Sequence, residues 1–189
     1  MNVIYKVDSD AVIQDIGGSW DFFAKENEGP HLLSSNVVGT SLWTYIIDSS
    51  TRKLYQDIIV RVLDTAEPVN FRYRCDSPGM KRFMNMNITK EGTGVLFNSS
   101  VERVETRSPE VYFSIKSKSL AKIIKRCSIC TKLNDGTGWK EIGPWLSEGN
   151  FDNDDINLSV MYCVCEKCSR SIRTIPGRQT LYTGVDSRR

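Results

Sequence analysis

Two short, mostly apolar runs open the chain, and a polar stretch suited to a turn separates them. Residues 3–7 and 11–13 form the apolar runs, and residues 8–10 read Asp-Ser-Asp. This pattern predicts an opening β-hairpin. Two glycines at 17–18 end the hairpin, and Ser19 then suits the N-cap of a short aromatic helix.

Residues 49–66 have the clearest helical pattern of the chain. Their apolar positions recur at three- and four-residue spacing, Asp48 precedes them as a cap, and Pro68 closes the segment. Beyond this helix, apolar and polar residues alternate along three segments, as a sheet with one covered face requires. The predicted strands are 69–75, 82–88 and 93–101, with turns at 76–79 and 92–94.

The order of these elements resembles a PAS domain. Residues 19–24 (SWDFFA) stand where PAS sequences place their first helix, and residues 36–43 (NVVGTSLW) resemble the segment that leads to the main helix. The resemblance implies an α+β fold over 1–107, with helices across one face of a five-stranded antiparallel sheet.

PAS domains can bind a small molecule between the sheet and the long helix, so the covered face is a candidate pocket. The competing interpretation is that these side chains only fill the core, the usual role of an apolar strand face. Neither haem nor a flavin adduct is expected, because residues 49–66 lack histidine and the Asn-Cys-Arg-Phe motif of flavin adducts is absent. The candidate pocket residues are Trp43, Tyr45, Leu54, Ile58, Phe71, Tyr73, Met84, Met86 and Phe97.

The opposite face of the predicted sheet is mainly polar. It is either a solvated face or a docking surface for a signalling partner or a second copy of the chain, an arrangement common among PAS domains. Two apolar residues on it favour docking. The candidate docking residues are Arg72, Arg74, Phe83, Asn85, Asn87 and Leu96.

Composition separates the chain into two unlike halves. The 189 residues have a formal net charge of +2, but residues 1–106 have a net charge of −3 and residues 107–189 of +5. This shift and Pro109 predict a boundary near Ser108. No apolar run is long enough to span a bilayer, and no signal peptide is visible, so a cytoplasmic protein without membrane contact is expected.

Cysteine spacing is the most specific chemical signal. Five of the six cysteines fall between residues 127 and 168, and four of them form two CxxC pairs. Without a signal peptide, this pattern favours a closed, structural tetrahedral zinc site over disulfides. The four candidate metal ligands are Cys127, Cys130, Cys165 and Cys168.

The 34 residues between the two pairs exceed the usual zinc-ribbon spacing, so an inserted element is expected. Apolar residues at helical spacing between Trp139 and Leu146 predict a helix, and residues 152–155 predict an exposed acidic loop. Cys163 is a spare thiol beside the second pair. It is either a substitute ligand or a small half-buried side chain, and Cys75 has no assigned role.

The cysteine-rich region resembles a module that follows PAS and response-regulator domains in bacterial signalling proteins. The match includes both CxxC pairs and the Gly138-Trp139 motif. It departs from the family at Tyr162-Cys163, where the family has His-Gly, and at Pro144, which is expected to interrupt the helix.

Together these patterns predict a bacterial sensory or signal-transduction module whose output passes through partner binding. Neither an acid–base pair nor an activated nucleophile emerges, so an enzyme is not expected. The predicted layout is a PAS-like sensory domain over 1–107, a connector over 108–126, a Cys₄ zinc module over 127–175 and a flexible tail over 176–189.

Two other hypotheses stay open. Basic residues near the CxxC pairs, among them Arg126 and Arg173, favour a regulatory protein whose zinc module binds nucleic acid. Solvated charge is the competing interpretation of these residues. A thiol redox sensor based on Cys163 is the other hypothesis.

Overall fold

The computed structural model describes residues 1–27, 29–115, 123–148 and 155–174. Over these residues the chain folds as an α+β protein with two sheets. Its first half contains β1 (Asn2–Val7), β2 (Ile13–Gly18), α1 (Trp20–Glu26), α2 (Ser34–Val37), α3 (Ser49–Thr65), β3 (Val69–Arg74), β4 (Met80–Glu91) and β5 (Gly94–Thr106). Its second half contains β6 (Glu110–Ile115), β7 (Ile124–Cys127), β8 (Leu133–Asn134), α4 (Ile142–Glu148), β9 (Asp155–Cys163) and α5 (Glu166–Arg173).

The first sheet has five antiparallel strands in the order β2-β1-β5-β4-β3. This confirms the predicted five-stranded antiparallel sheet. Helix α3 follows the predicted cap, because the Asp48 carboxylate accepts a hydrogen bond from the Thr51 backbone N–H at 2.7 Å. The helix ends at Thr65, and the left-handed conformation of Ala66 directs the chain towards β3.

Aromatic side chains fill the centre of this core. Phe97 is fully buried on β5, and its ring stacks on those of Tyr5 and Tyr55 at centroid distances of 4.6 and 6.0 Å. Leu54 and Ile58 of α3 are buried in the same cluster. The covered face that the alternation along the strands predicts is therefore present.

Gly94 begins β5 and lies beside Val7, the last residue of β1. A Cβ atom at this position would lie 2.3 Å from the carbonyl oxygen of Val7, a backbone atom that cannot rotate away. We expect Gly94→Ala to lower the free energy of unfolding by about 1–3 kcal/mol in denaturant titrations. Gly143→Ala is the control, because no atom lies within 4 Å of that Cβ. If Gly94→Ala were as stable as the wild type, this close approach of Gly94 to Val7 would be contradicted.

The second sheet has the order β6-β9-β7-β8, with β6 and β7 parallel to β9 and β8 antiparallel to β7. Its buried face packs against Ile142 of α4, around a core that includes Val111, Leu133 and Leu158. The segment expected as a connector therefore supplies β6 and most of β7. Because these strands pair with β9, residues 110–115 and 124–126 belong to the second sheet.

Pro144 was expected to interrupt the inserted helix, but it lies in the first turn of α4. A proline is tolerated there because the N–H that it lacks would have no intrahelical partner. Trp139 lies before the helix.

Of the expected acidic loop, residues 152–154 lie outside the described residues and residue 155 begins β9. The expected tail over 176–189 also lies outside the described residues.

Within the described ranges, none of the helices is long and apolar enough to cross a membrane.

Candidate metal centre

The parallel pairing of β7 and β9 brings the two CxxC pairs together. Cys127 ends β7 and lies opposite Cys163, the last residue of β9, two positions before Cys165. Both CxxC pairs therefore lie at the same end of the sheet. Parallel neighbours need a long crossover connection, which accounts for the unusually wide spacing between the pairs.

The first CxxC pair lies in a tight turn. The Thr131 N–H donates to the carbonyl oxygen of Cys127, and the Cys127 N–H donates to that of Lys132, both at 2.9 Å. Thr131 has a φ of 59°, which is uncommon for a β-branched residue. It is buried, and its hydroxyl lies 3.3 Å from the Asp76 carboxylate, which fixes the turn against the β3–β4 hairpin.

The second CxxC pair begins α5. Cys165 occupies the N-cap position, and its Sγ accepts a hydrogen bond from the Cys168 backbone N–H at 3.4 Å. The Cys165 N–H in turn donates to Sγ of Cys127 at 3.4 Å. Backbone dipoles therefore point at sulfur in both pairs, an arrangement that stabilises thiolates.

The four predicted ligand atoms converge on one point. The sulfurs of Cys127, Cys130, Cys165 and Cys168 all lie within 4.8 Å of one another, and those of Cys130 and Cys165 are 3.9 Å apart. Tetrahedral zinc with sulfur ligands at 2.3 Å separates those sulfurs by about 3.8 Å. The donor set therefore fits a four-coordinate soft cation, and the four cysteines can hold a metal.

Hydrogen bonding within the cluster distributes charge unequally among the sulfurs. The pKa of Cys127 is lowered, first because the thiols of Cys130 and Cys168 donate to it, and then by backbone N–H donors against the opposing effect of burial. The pKa of Cys130 is raised to about 12, chiefly by its hydrogen bond to Cys127. Cys127 is therefore a more acidic thiol than Cys130, and thiolate is the form that ligates metal.

The four-cysteine cluster lies directly against the first half of the chain. The Ser128 hydroxyl donates to the Asp48 carboxylate at 3.1 Å, and the Val164 N–H donates to the Ser50 hydroxyl at 2.7 Å. These bonds join both CxxC pairs to the first turn of α3. On the sheet side, the Arg74 N–H donates to the Ile129 carbonyl at 2.8 Å, so the first turn also adjoins the end of β3.

Asp48 therefore has two roles, as the cap of α3 and as a contact to the metal centre. We expect Asp48→Ala to lower the free energy of unfolding by about 1–2 kcal/mol, because the helix loses its cap and Ser128 its acceptor. Asp48→Asn keeps an acceptor oxygen and should lose less. Denaturant titration measures both. Equal losses would contradict the capping role.

Cys163 and Cys75 lie outside the four-sulfur cluster. The pKa of Cys163 is raised to about 11, first by burial and next by the charge of Cys127. The pKa of Cys75 is also raised, mainly by burial. Both groups are thiols at neutral pH, a less reactive form than the thiolate that redox chemistry uses.

The candidate pocket residues lie in the core between the sheet and α3 or at its border. Tyr73 is half-buried there, and its hydroxyl shares a 2.5 Å hydrogen bond with Ser99. Burial raises the pKa of the nearby Tyr55 hydroxyl to about 12, so this group stays neutral. Six of the candidates are buried, namely Leu54, Ile58, Phe71, Met84, Met86 and Phe97, while Trp43, Tyr45 and Tyr73 are half-buried.

The docking-face candidates differ in how exposed their side chains are. Arg72 is exposed and pairs with Glu102, and three others, Asn85, Asn87 and Leu96, are half-exposed. Arg74 does not belong to this surface, because its side chain is buried in an ion pair with Asp76. Phe83 lies between two guanidinium groups, 4.5 Å from that of Arg74 and 4.0 Å from that of Arg103.

Two basic residues of the nucleic-acid hypothesis are already engaged within the chain. Arg126 is buried against the ring of Phe113 at 3.9 Å, and Arg173 pairs with Asp57 of α3 at 2.8 Å. Lys116, Lys118, Lys122 and Arg178 lie outside the described residues.

No protein-family model matches the chain, and no curated protein matches it either.

Proposed function

We propose that the chain is a cytoplasmic sensory or signal-transduction module of bacterial type, in which a PAS-like sheet and a structural zinc centre act together. Output passes through a bound partner protein or a second copy of the chain. The observation that supports this most is the junction between the two halves, where the four-cysteine cluster contacts both the main helix and the edge of the sheet.

The strand order and the covered face support the PAS-like interpretation of the first half. Helix α3 and β3, which border the candidate ligand core, are the elements that the metal centre contacts. A change in either half therefore reaches the other through three hydrogen bonds rather than through a linker. A surface cleft of about 410 Å³ lies at this junction, between β3 and α5.

Zinc is the metal that this donor set favours, because four thiolates in a closed tetrahedral site suit it and leave no open position for catalysis. Elemental analysis of the gently purified protein should give about one zinc per chain. Protein that contains no zinc, with all six thiols free or oxidised, would overturn the metal assignment.

The signalling role is tested by removing the metal and following amide hydrogen exchange. We expect faster exchange in the first turn of α3 and at the end of β3, while the distant hairpin β1–β2 stays protected. Native mass spectrometry of the same preparation reports any bound small molecule and the oligomeric state. A monomer without ligand, whose first sheet exchanges identically with and without metal, would contradict the proposal.

A further inference from the structure

Strand β3 forms one edge of the first sheet, and β4 is its only strand partner among the described residues. The Cys75 N–H donates to the carbonyl oxygen of Arg82 at 3.0 Å, which fixes the phase of the hydrogen bonds between β3 and β4. Bonded and non-bonded pairs alternate along an antiparallel ladder, so Phe71 and Tyr73 also bond to β4. The backbone groups of the even-numbered residues of β3 therefore face the open edge.

Only one of these outward-facing residues has a backbone partner in the described part of the chain. The Arg74 N–H donates to the Ile129 carbonyl at 2.8 Å, where the first CxxC turn meets the edge. The backbone N–H and C=O groups of Asn70 and Arg72 have no such partner among the described residues, and both residues are exposed. Each residue offers one donor and one acceptor, so both can pair with a further strand.

The unpaired part of the edge faces a surface cleft of about 410 Å³. Strand β3 lines one side of the cleft with Asn70 and Arg72, and α5 lines the other with Ser171 and Ile172. Neighbouring strands of a sheet lie about 4.8 Å apart. An extended segment at that distance from β3 would therefore lie in the cleft, with β3 on one side and α5 on the other.

The helix that walls this cleft is basic. It contains three basic residues and one acidic residue, Glu166, which gives it a net charge of +2. Lys167 and Arg170 are exposed and have no ion-pair partner in the part of the chain that the structure describes, while the third pairs with Asp57 of α3. Both line a second hollow that adjoins the cleft at Ser171. Charge complementarity therefore favours an acidic occupant.

A second copy of the chain fits this edge less well than a single segment does. If β3 of another copy paired with this edge, each β3 would have to fit between the β3 and the α5 of the other copy. Two basic helices would also come together at the same interface, and like charges disfavour such a contact. A single acidic segment meets neither obstacle.

We propose that this cleft binds an extended, acidic segment of a partner protein, an inference that rests on the proposed output through a bound partner. The segment adds to the five-stranded sheet as a sixth strand beside β3. Its backbone exchanges hydrogen bonds with Asn70 and Arg72, and main-chain bonds of this kind supply the affinity in strand addition. Its acidic side chains lie towards Lys167 and Arg170, and these contacts select the partner.

The test is calorimetric titration of the full chain with three blocked octapeptides. The first alternates glutamate and valine, the second has lysine in place of glutamate, and the third is the glutamate peptide N-methylated at its four central residues. We expect saturable binding of the first peptide, and binding at least about tenfold weaker for the other two. The backbone N–H signals of Asn70 and Arg72 should shift with the same saturation.

Arg72→Pro removes an N–H that faces the cleft without breaking a bond to β4, and proline is tolerated at such positions of an edge strand. This variant should bind the glutamate peptide at least about tenfold more weakly. Arg72→Ala is the matched control, because it loses the same charge but keeps the N–H. Since that charge is already paired with Glu102, the control should lose no more than about threefold.

Ser171→Trp is a second variant, which keeps the test decisive if Arg72→Pro fails to fold. Ser171 is an exposed residue of α5 that lines the cleft, so a larger side chain there fills the space without entering the core. It should weaken peptide binding at least about tenfold, with an unchanged thermal midpoint and metal content.

Absence of saturable binding of the glutamate peptide by the wild type would overturn the proposal. So would equal binding of the N-methylated or the lysine peptide, unchanged binding by Ser171→Trp, or a loss in Arg72→Ala as large as that in Arg72→Pro. A wild-type dimer that Arg72→Pro dissociates would assign the edge to a second copy, which also contradicts a partner segment.

The strand site and the signalling role fail in different ways. Hydrogen exchange on metal removal tests the signalling role without any peptide. Unchanged exchange together with peptide binding would contradict the signalling role alone. Altered exchange without peptide binding would contradict the strand site alone.

Discussion

Replacing Cys127 by serine is expected to abolish stoichiometric zinc binding and to cost the chain several kcal/mol of stability. Its sulfur belongs to the four-sulfur cluster and also accepts the backbone N–H of Cys165. Metal binding in structural zinc peptides is worth about 10–16 kcal/mol, and this free energy is coupled to folding. Elemental analysis and denaturant unfolding measure the two effects.

The matched control is Cys163→Ser, which alters a cysteine only two residues from a predicted ligand. It should retain one zinc per chain and change the free energy of unfolding by no more than roughly 1 kcal/mol. If Cys127→Ser kept its zinc while Cys163→Ser lost it, the ligand assignment would have to be exchanged.

Asp76→Asn is expected to destabilise the protein by about 3–5 kcal/mol, because breaking a buried ion pair leaves uncompensated charge behind. The substitution keeps the size of the side chain but removes the charge that faces Arg74 and Arg107. It also weakens the contact that fixes Thr131, so the turn with the first CxxC pair should loosen. Denaturant titration of the zinc-loaded protein measures this loss.

Two comparisons sharpen this prediction. Glu102→Gln breaks the exposed pair with Arg72 and should cost less than about 1 kcal/mol. The double variant Asp76→Asn with Arg74→Met should recover part of the loss, because it removes one of the stranded charges. Simple additivity of the two single losses would show that Arg74 and Asp76 are not coupled.

Local patterns were sufficient to predict the first half of the fold. Helix α3 begins at the predicted cap, Asp48, and β3 begins at Val69 as expected. The strands β4 and β5 extend a few residues beyond their predicted bounds. The hairpins β3–β4 and β4–β5 pair sequence neighbours, so the alternation of each strand and the turns between them contain most of the information for this part. The pairing of β5 with β1 is long-range and is not specified locally.

The second sheet could not be predicted in the same way. Glu110 of β6 pairs with Asp155 of β9, across 45 positions, and nothing local specifies such a parallel partner. The strand β9 nevertheless has a clear two-residue alternation, with Ile156, Leu158 and Val160 buried. That signal predicts a strand, whereas its partner requires the tertiary structure.

The candidate site divides similarly between local and tertiary information. The CxxC spacing identifies all four cysteines of the cluster, but the contacts with Asp48 and β3 depend on how the two sheets pack. Arg82 shares the parity of Met84 and Met86 on β4, so its inward orientation follows from the alternation. Alternation does not indicate that a second buried arginine, Arg126, comes from the other sheet.

The hydrogen bond from Arg74 to Ile129 has a consequence for how the chain behaves when metal is scarce. The strand β3 is an edge of the first sheet, and the CxxC turn occupies its end. Exposed strand edges are templates for pairing between molecules, and proteins commonly protect them. Loss of zinc should therefore expose an unpaired strand edge beside Phe71. We expect the metal-free chain to self-associate through this edge before its first sheet unfolds.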